Sequence, residues 1–191
     1  DIQEPGCANP DDDDETDPVF CAEPTRVVTF DDVSGTSENG HAFKGTFINN
    51  QYPGVTFTSN GNPTIATRGF GRDGLFEASS DPNFLIGFSS NGKLDSYAPI
   101  TMTFTTPVRR VRFTAISVGI AGLRATAKSA NGTILAQVVI PSQPVPADGF
   151  RNKNAIDLLA SQDIATVEII QSVSNDVDGF GIDDVSFHAL T

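Results

Sequence analysis

Gly179-Phe-Gly-Ile-Asp-Asp-Val-Ser-Phe187, close to the end of a 191-residue chain, decides the fold. It is an apolar run suited to a central β-strand, with two adjacent carboxylates at its middle. A strand interior disfavours Asp, because a carboxylate taken out of water is costly unless something positive or hydrogen-bonding meets it. Strict alternation fails there too. Phe180 and Ile182 share a face with Asp184, whereas Val185 and Phe187 share one with Asp183. A β-bulge at the two aspartates reconciles the pattern and lets both apolar sets face inward. Near the other end, Val27-Val-Thr-Phe-Asp-Asp32 has the same grammar. If the first and last strands lie side by side, Asp31, Asp32, Asp183 and Asp184 converge. A hard cation such as Ca2+, which takes oxygen ligands, would make that convergence tolerable.

Between these ends the text is β throughout. Ile100 to Phe104, Val111 to Ile116 and Leu123 to Ala127 alternate apolar with polar, which means one buried and one wet face. Further strands are expected at 45–48, 55–58, 64–67, 83–88, 133–140, 155–158 and 166–171. Asn60-Gly61, Asp73-Gly74, Asn91-Gly92 and Asn131-Gly132 supply the positive φ that tight turns need. Of these, Asn131-Gly132 marks the strongest hairpin. The stretch 155–171 reads as strand, turn, strand. Many short strands without alternating helices predict an all-β fold, a two-sheet antiparallel β-sandwich of jelly-roll type spanning residues 26–191.

Residues 1–25 form a separate acidic segment, with Asp11-Asp-Asp-Asp-Glu15 and Asp17 among prolines. A like-charge run repels itself and nucleates no core. Cys7 and Cys21 flank this run, and their pairing as a disulfide would close it into a ring and place the protein outside the cytoplasm. The net charge of −12 argues against nucleic acid and anionic membrane surfaces as partners. No apolar stretch is long enough to span a bilayer as a helix. The only Met is Met102, so the chain reads as a mature or trimmed product, secreted or held at a cell surface.

Val28-Thr-Phe-Asp-Asp32, Asn50-Gln-Tyr-Pro-Gly-Val-Thr-Phe57, Ile100-Thr-Met-Thr-Phe-Thr-Thr-Pro-Val108 and the closing strand together resemble a known pattern. It is that of the jelly-roll, galactose-binding-like sandwiches of carbohydrate-binding modules and bacterial surface proteins with sorting anchors. The resemblance implies a structural calcium at the joined first and last strands, held by Asp31 or Asp32 and Asp183 or Asp184. Asp176 and Asp178, in the turn Asn175-Asp-Val-Asp-Gly-Phe180, are further candidate ligands.

The glycine-rich stretch Ala66-Thr-Arg-Gly-Phe-Gly-Arg-Asp-Gly74 offers Arg68, Arg72 and Asp73 as hydrogen-bonding groups for sugar hydroxyls or a carboxylate, with Tyr97 as a ligand-facing ring. The absence of Trp departs from the aromatic platforms on which sugars usually stack, and the 14 Phe read as core. No nucleophile elbow or metalloprotease helix is present. The expected function is therefore a non-catalytic, secreted, calcium-stabilised module for glycan binding or cell-surface adhesion. The partner would be a glycan or cell-surface polysaccharide, with other surface proteins as a further class. A structural or assembly protein is the alternative. A small polysaccharide-active enzyme is the weaker one, with Glu38, Glu77 and Glu168 as its candidate acids.

Overall fold

A computed structural model describes residues 26–33, 46–60, 64–67, 78–80, 82–87, 98–143, 152–172 and 180–189. Nine strands run through them: β1 (Arg26–Val28), β2 (Val55–Thr58), β3 (Thr64–Thr67), β4 (Asn83–Ile86), β5 (Ile100–Ile116), β6 (Leu123–Lys128), β7 (Ile134–Ile140), β8 (Lys153–Gln171) and β9 (Gly181–Ala189). No helix occurs among the described residues. Every strand pairing is antiparallel. The protein is an all-β sandwich.

β5 and β8 form the spine. Their ladder runs from Ile100↔Ile169 to Ile116↔Lys153, with register shifts between Thr103 and Val108 and between Val108 and Arg110. Before the shifts β5 is flanked by β2, and beyond them by β9. One layer therefore reads β2-β5-β8-β6-β7, and the other β8-β5-β9-β4-β3, with β1 on β9 beyond the end of β4. The two alternating runs expected as separate strands in 100–116 are one strand. Likewise, 155–171 contains no turn, and β8 passes straight through it.

The shifts carry a packing consequence. In β5 the buried positions are Ile100, Met102, Phe104 and Val108 before the second shift, and Val111, Phe113 and Ala115 after it. β8 reverses in the same way, from Ile156, Leu158 and Ile164 to Val167 and Ile169. Each shift leaves an odd number of residues unmatched, three on β5 and then three on β8, and an odd insertion switches which parity faces inward, so each long strand lends one apolar set to each layer. The sets meet in a single cluster. Phe104 of the first layer lies 5.2 Å, ring centre to ring centre, from Phe187 of the second. Phe30, after β1, meets Phe57 of β2 at 5.4 Å edge-on. Burying rings of this size stabilises by roughly 1.5–3 kcal/mol each.

β9 contains the bulge that its sequence implies. Arg112 pairs with Ser186 but Thr114 pairs with Asp183, so one residue of β9 is extra, and Asp184 takes φ 50°. Ile182, Val185 and Phe187 are all fully or almost fully buried. The β6–β7 connection is the expected hairpin, with Gly132 at φ 85° and the Asn131 carboxamide oxygen accepting the Thr133 N–H at 3.1 Å. β7 is the edge of its layer, and its exposed positions include Ile134 and Val139.

Candidate functional site

The first and last strands are neighbours. β1 pairs with residues 185–187 of β9, and β4 pairs with residues 181–182. With β5 on the other flank, β1 and β4 abut end to end along β9, and Asp183 and Asp184 face the junction. The chain leaves β1 through a turn at Phe30–Val33, closed by the Val33 N–H on the Phe30 carbonyl at 3.5 Å. Phe30 holds φ 63°, a conformation costing a non-glycine residue roughly 1–3 kcal/mol. Its ring, fully buried between Tyr52 and Phe57, offsets that cost.

Three of the acidic side chains at this junction, Asp31, Asp32 and Asp183, have donors of their own. Asp31 Oδ1 accepts the Asn83 backbone N–H at 3.0 Å. Asp32 Oδ1 accepts the Tyr52 hydroxyl at 2.6 Å. Burial first, and then that hydrogen bond to Asp32, raises the Tyr52 phenol well above its ordinary range. Asp183, with no exposed surface, accepts the N–H groups of Ser79 at 2.7 Å and Ser80 at 2.9 Å on one oxygen, and that of Asp184 at 2.8 Å on the other. Its pKa is pushed up from 3.8 to about 7, because burial outweighs the three amide donors. Asp183 therefore pins residues 79–80 across the outer side of β9, where Ser79 also meets Thr114 at 3.3 Å.

This geometry corrects the expected pooling of four carboxylates. Among the described residues no three Asp, Glu, His or Cys side chains come together in a metal-binding group. Backbone amides consume Asp183, and a phenol engages Asp32. The oxygen-rich point lies instead at Asn83, whose Nδ2 donates to the carbonyls of Phe30 at 3.0 Å and Val33 at 2.7 Å. Asn83 is 2% exposed, and its Oδ1 is buried without a hydrogen-bond partner. Turned end for end, the carboxamide fills the same volume. Its Oδ1 would then join the Phe30 and Val33 carbonyls beside the Asp31 carboxylate, an oxygen-only donor set of the kind a hard cation takes. Asp31, Asn83 and the two carbonyls are the oxygen donors that a Ca2+ ion would meet there.

Sequence reasoning missed Asn83, Tyr52 and Ser79–Ser80, whose roles depend on partners far away in the chain. Asp176, Asp178, Arg68, Arg72, Asp73, Tyr97, Cys7, Cys21, Glu38 and Glu77 lie outside the described residues. Glu168 is described and forms an ion pair with Lys128 at 2.7 Å on the outer face of the first layer.

That outer face carries two mostly polar rows. Cross-strand register aligns Thr58, Thr101, Glu168, Thr126 and Gln137 in one row, and Thr56, Thr103, Thr166 and Lys128 in the next, which ends on the exposed Ile134 of β7. Gln137 Nε2 donates to Thr126 Oγ1 at 3.0 Å, and no ring stands on either row.

No protein-family model matches the sequence, and neither does any curated protein. The chain is similar in structure to a cleaved adhesin domain of Lys-gingipain, with TM-score 0.51 and 14% identity over 86% of this chain and 99% of that one. A family 29 carbohydrate-binding module aligns with TM-score 0.42 and 9% identity, over 87% and 92% of the two chains. A β-1,3-glucan-binding family 6 module from Bacillus halodurans aligns with TM-score 0.37 and 13% identity, over 80% and 98%. The adhesin domain shares the sandwich fold over nearly its whole length.

Proposed function

We propose that this chain is a secreted or cell-surface β-sandwich module that holds a glycan or a cell surface without transforming it, and that calcium stabilises it. The observation that carries the reading is the outer face of the first layer. Its two cross-strand rows present hydroxyls, an amide and one internally neutralised ion pair, with Ile134 the one apolar residue, at the β7 end. Such a face exchanges hydrogen bonds with a polyhydroxylated surface and suffers no net charge repulsion from a neutral one. The fold shared with an adhesin domain supports the same class of role.

Calcium enters as a stabiliser. Asp31, Asn83 and the Phe30 and Val33 carbonyls would hold it, joining the β1 turn to β4 beside the bulge of β9. A metal that binds only the folded state stabilises it by mass action. The melting temperature should rise by several degrees in millimolar calcium relative to EDTA, and Asn83→Leu should abolish the difference. Identical melting curves, with no metal by elemental analysis, would remove calcium from the reading. Glycan-array binding tests the module itself, and a blank array would count against it.

β7 favours a second reading, assembly through protein contacts. Its residues Ile134-Leu-Ala-Gln-Val-Val-Ile140 carry no charge, and β6 is their only ladder partner among the described residues. Unprotected edges of this kind pair readily with other strands.

A further inference from the structure

We infer that a groove where the β5–β8 ladder is broken is a subsite for a neutral, polyhydroxylated glycan segment, an inference that rests on the module reading above. The groove is shallow and open to solvent, with a volume of about 470 Å³, and is lined by Arg109, Ser129, Ala130, Asn131, Ser161, Gln162 and Asp163. It sits at one end of the polar face, since Ser129 follows Lys128 and Asp163 lies just before Thr166. Three irregular pieces make its walls. Arg109 falls inside the register shift between Val108 and Arg110. Ser161 to Asp163 take no ladder partner on β5, although β8 continues through them. The third wall is the β6–β7 turn.

Among the walls, the pair at the ladder break leaves polar valence open. Arg109 meets Asp163 through a single contact, Nε to Oδ1 at 3.3 Å, with 37% and 52% of the two side chains exposed. The contrast lies next door in the chain. Arg110 grips Asp157 through two contacts, at 3.0 and 2.6 Å, and Arg112 adds a third at 3.1 Å. Asp157 thus takes three contacts from two guanidinium groups, whereas Asp163 takes one from Arg109. A sugar hydroxyl both donates and accepts, so a site for adjacent hydroxyls needs a carboxylate beside a donor-only group. Asp163 and Arg109 supply that couple. The Ser161 hydroxyl and the Gln162 carboxamide stand beside it, while the Ser129 hydroxyl donates to Asn131 Oδ1 at 2.5 Å and so braces the turn that forms the third wall. Because the pair is already neutral overall, the groove suits an uncharged sugar rather than a uronate.

The test is affinity electrophoresis of the full chain through soluble β-glucan, xylan, mannan and pectate, for wild type, Arg109→Gln, Asp163→Asn and the remote control Arg112→Gln. All three side chains are exposed on the surface, so folding should persist, and circular dichroism checks it. Retardation by a neutral polysaccharide should weaken by roughly tenfold in Arg109→Gln and Asp163→Asn but not in Arg112→Gln. Amide shifts on adding oligosaccharides of the retarding polymer should centre on residues 129–131 and 161–163. Retardation unchanged in both groove variants overturns the subsite and leaves the module reading standing. Retardation by pectate alone overturns the neutral specificity. No retardation by any polymer overturns both.

Discussion

Asp183 and Asp157 show how surroundings set the behaviour of one side chain in opposite directions. Asp183 is enclosed, and its folded pKa of about 7 lies above the 3.8 of an exposed aspartate. A group whose pKa rises on folding contributes stability that is fully present below its unfolded pKa and is lost as pH rises through its folded pKa. Unfolding free energy should therefore fall between about pH 4 and pH 7, at up to about 1.4 kcal/mol per pH unit. Urea titrations across that window should show the slope, and Asp183→Asn should flatten it. A wild-type profile with no such decline would count against the enclosure of the carboxylate. Asp157 is the reverse case. The hydrogen bond from Arg110 holds its carboxyl below the usual range, so its contribution is present at neutral pH and is lost only in acid, below about pH 4.

At the scale of elements, apolar packing and charge pairing contribute unequally. Phe187 is 1% exposed, lies against Phe104 and sits on the strand that joins β1, β4 and β5. Phe187→Ala should cost about 3–5 kcal/mol by denaturant titration. The charges follow an element pattern of their own. From Ser96 to Ala147 the chain has no acidic residue, yet it carries Arg109, Arg110, Arg112, Arg124 and Lys128. β8 supplies the answering acids, Asp163 to Arg109, Asp157 to Arg110 and Arg112, and Glu168 to Lys128. These pairs fix the β5–β8–β6 arrangement in register more than in energy. Asp157→Ala should cost no more than about 1 kcal/mol in the same titration, because its partners are exposed.

The same elements show what a linear reading can and cannot see. The β9 bulge was legible because Phe180 and Ile182 fall out of step with Val185 and Phe187 within a few residues. In β5 the equal change of step between Phe104 and Val111 spans Pro107, and was read as a break between strands. Only the partners across the ladder distinguish a bulge from a turn. The junction was half legible. The aspartate pairs flagged it, and β1 does lie on β9. Two of the three amides that claim Asp183 come from more than 100 residues earlier in the chain, and no spacing rule reaches them.

For the molecule as a whole, a net charge of −12 keeps copies apart while β7 offers an uncharged edge. Long-range repulsion weakens as the screening length falls from about 8 Å at physiological salt to about 3 Å at 1 M. Sedimentation should therefore find self-association that grows with salt and is suppressed by Ile134→Lys with Val139→Lys. Growth unaffected by the double substitution would place the contact elsewhere.

The antiparallel pairing of β1 with β9 also has a mechanical side. Arg26 stands opposite Phe187, so the chain enters β1 and leaves β9 at the same end of that pair. Tension applied across those two points would load the few β1 hydrogen bonds one after another, as a zip opens, rather than all together in shear. β1 would peel away at low force. A module held from the β9 side and gripping through its polar face would route the pull around this weak seam, from β9 into the long β5–β8 spine.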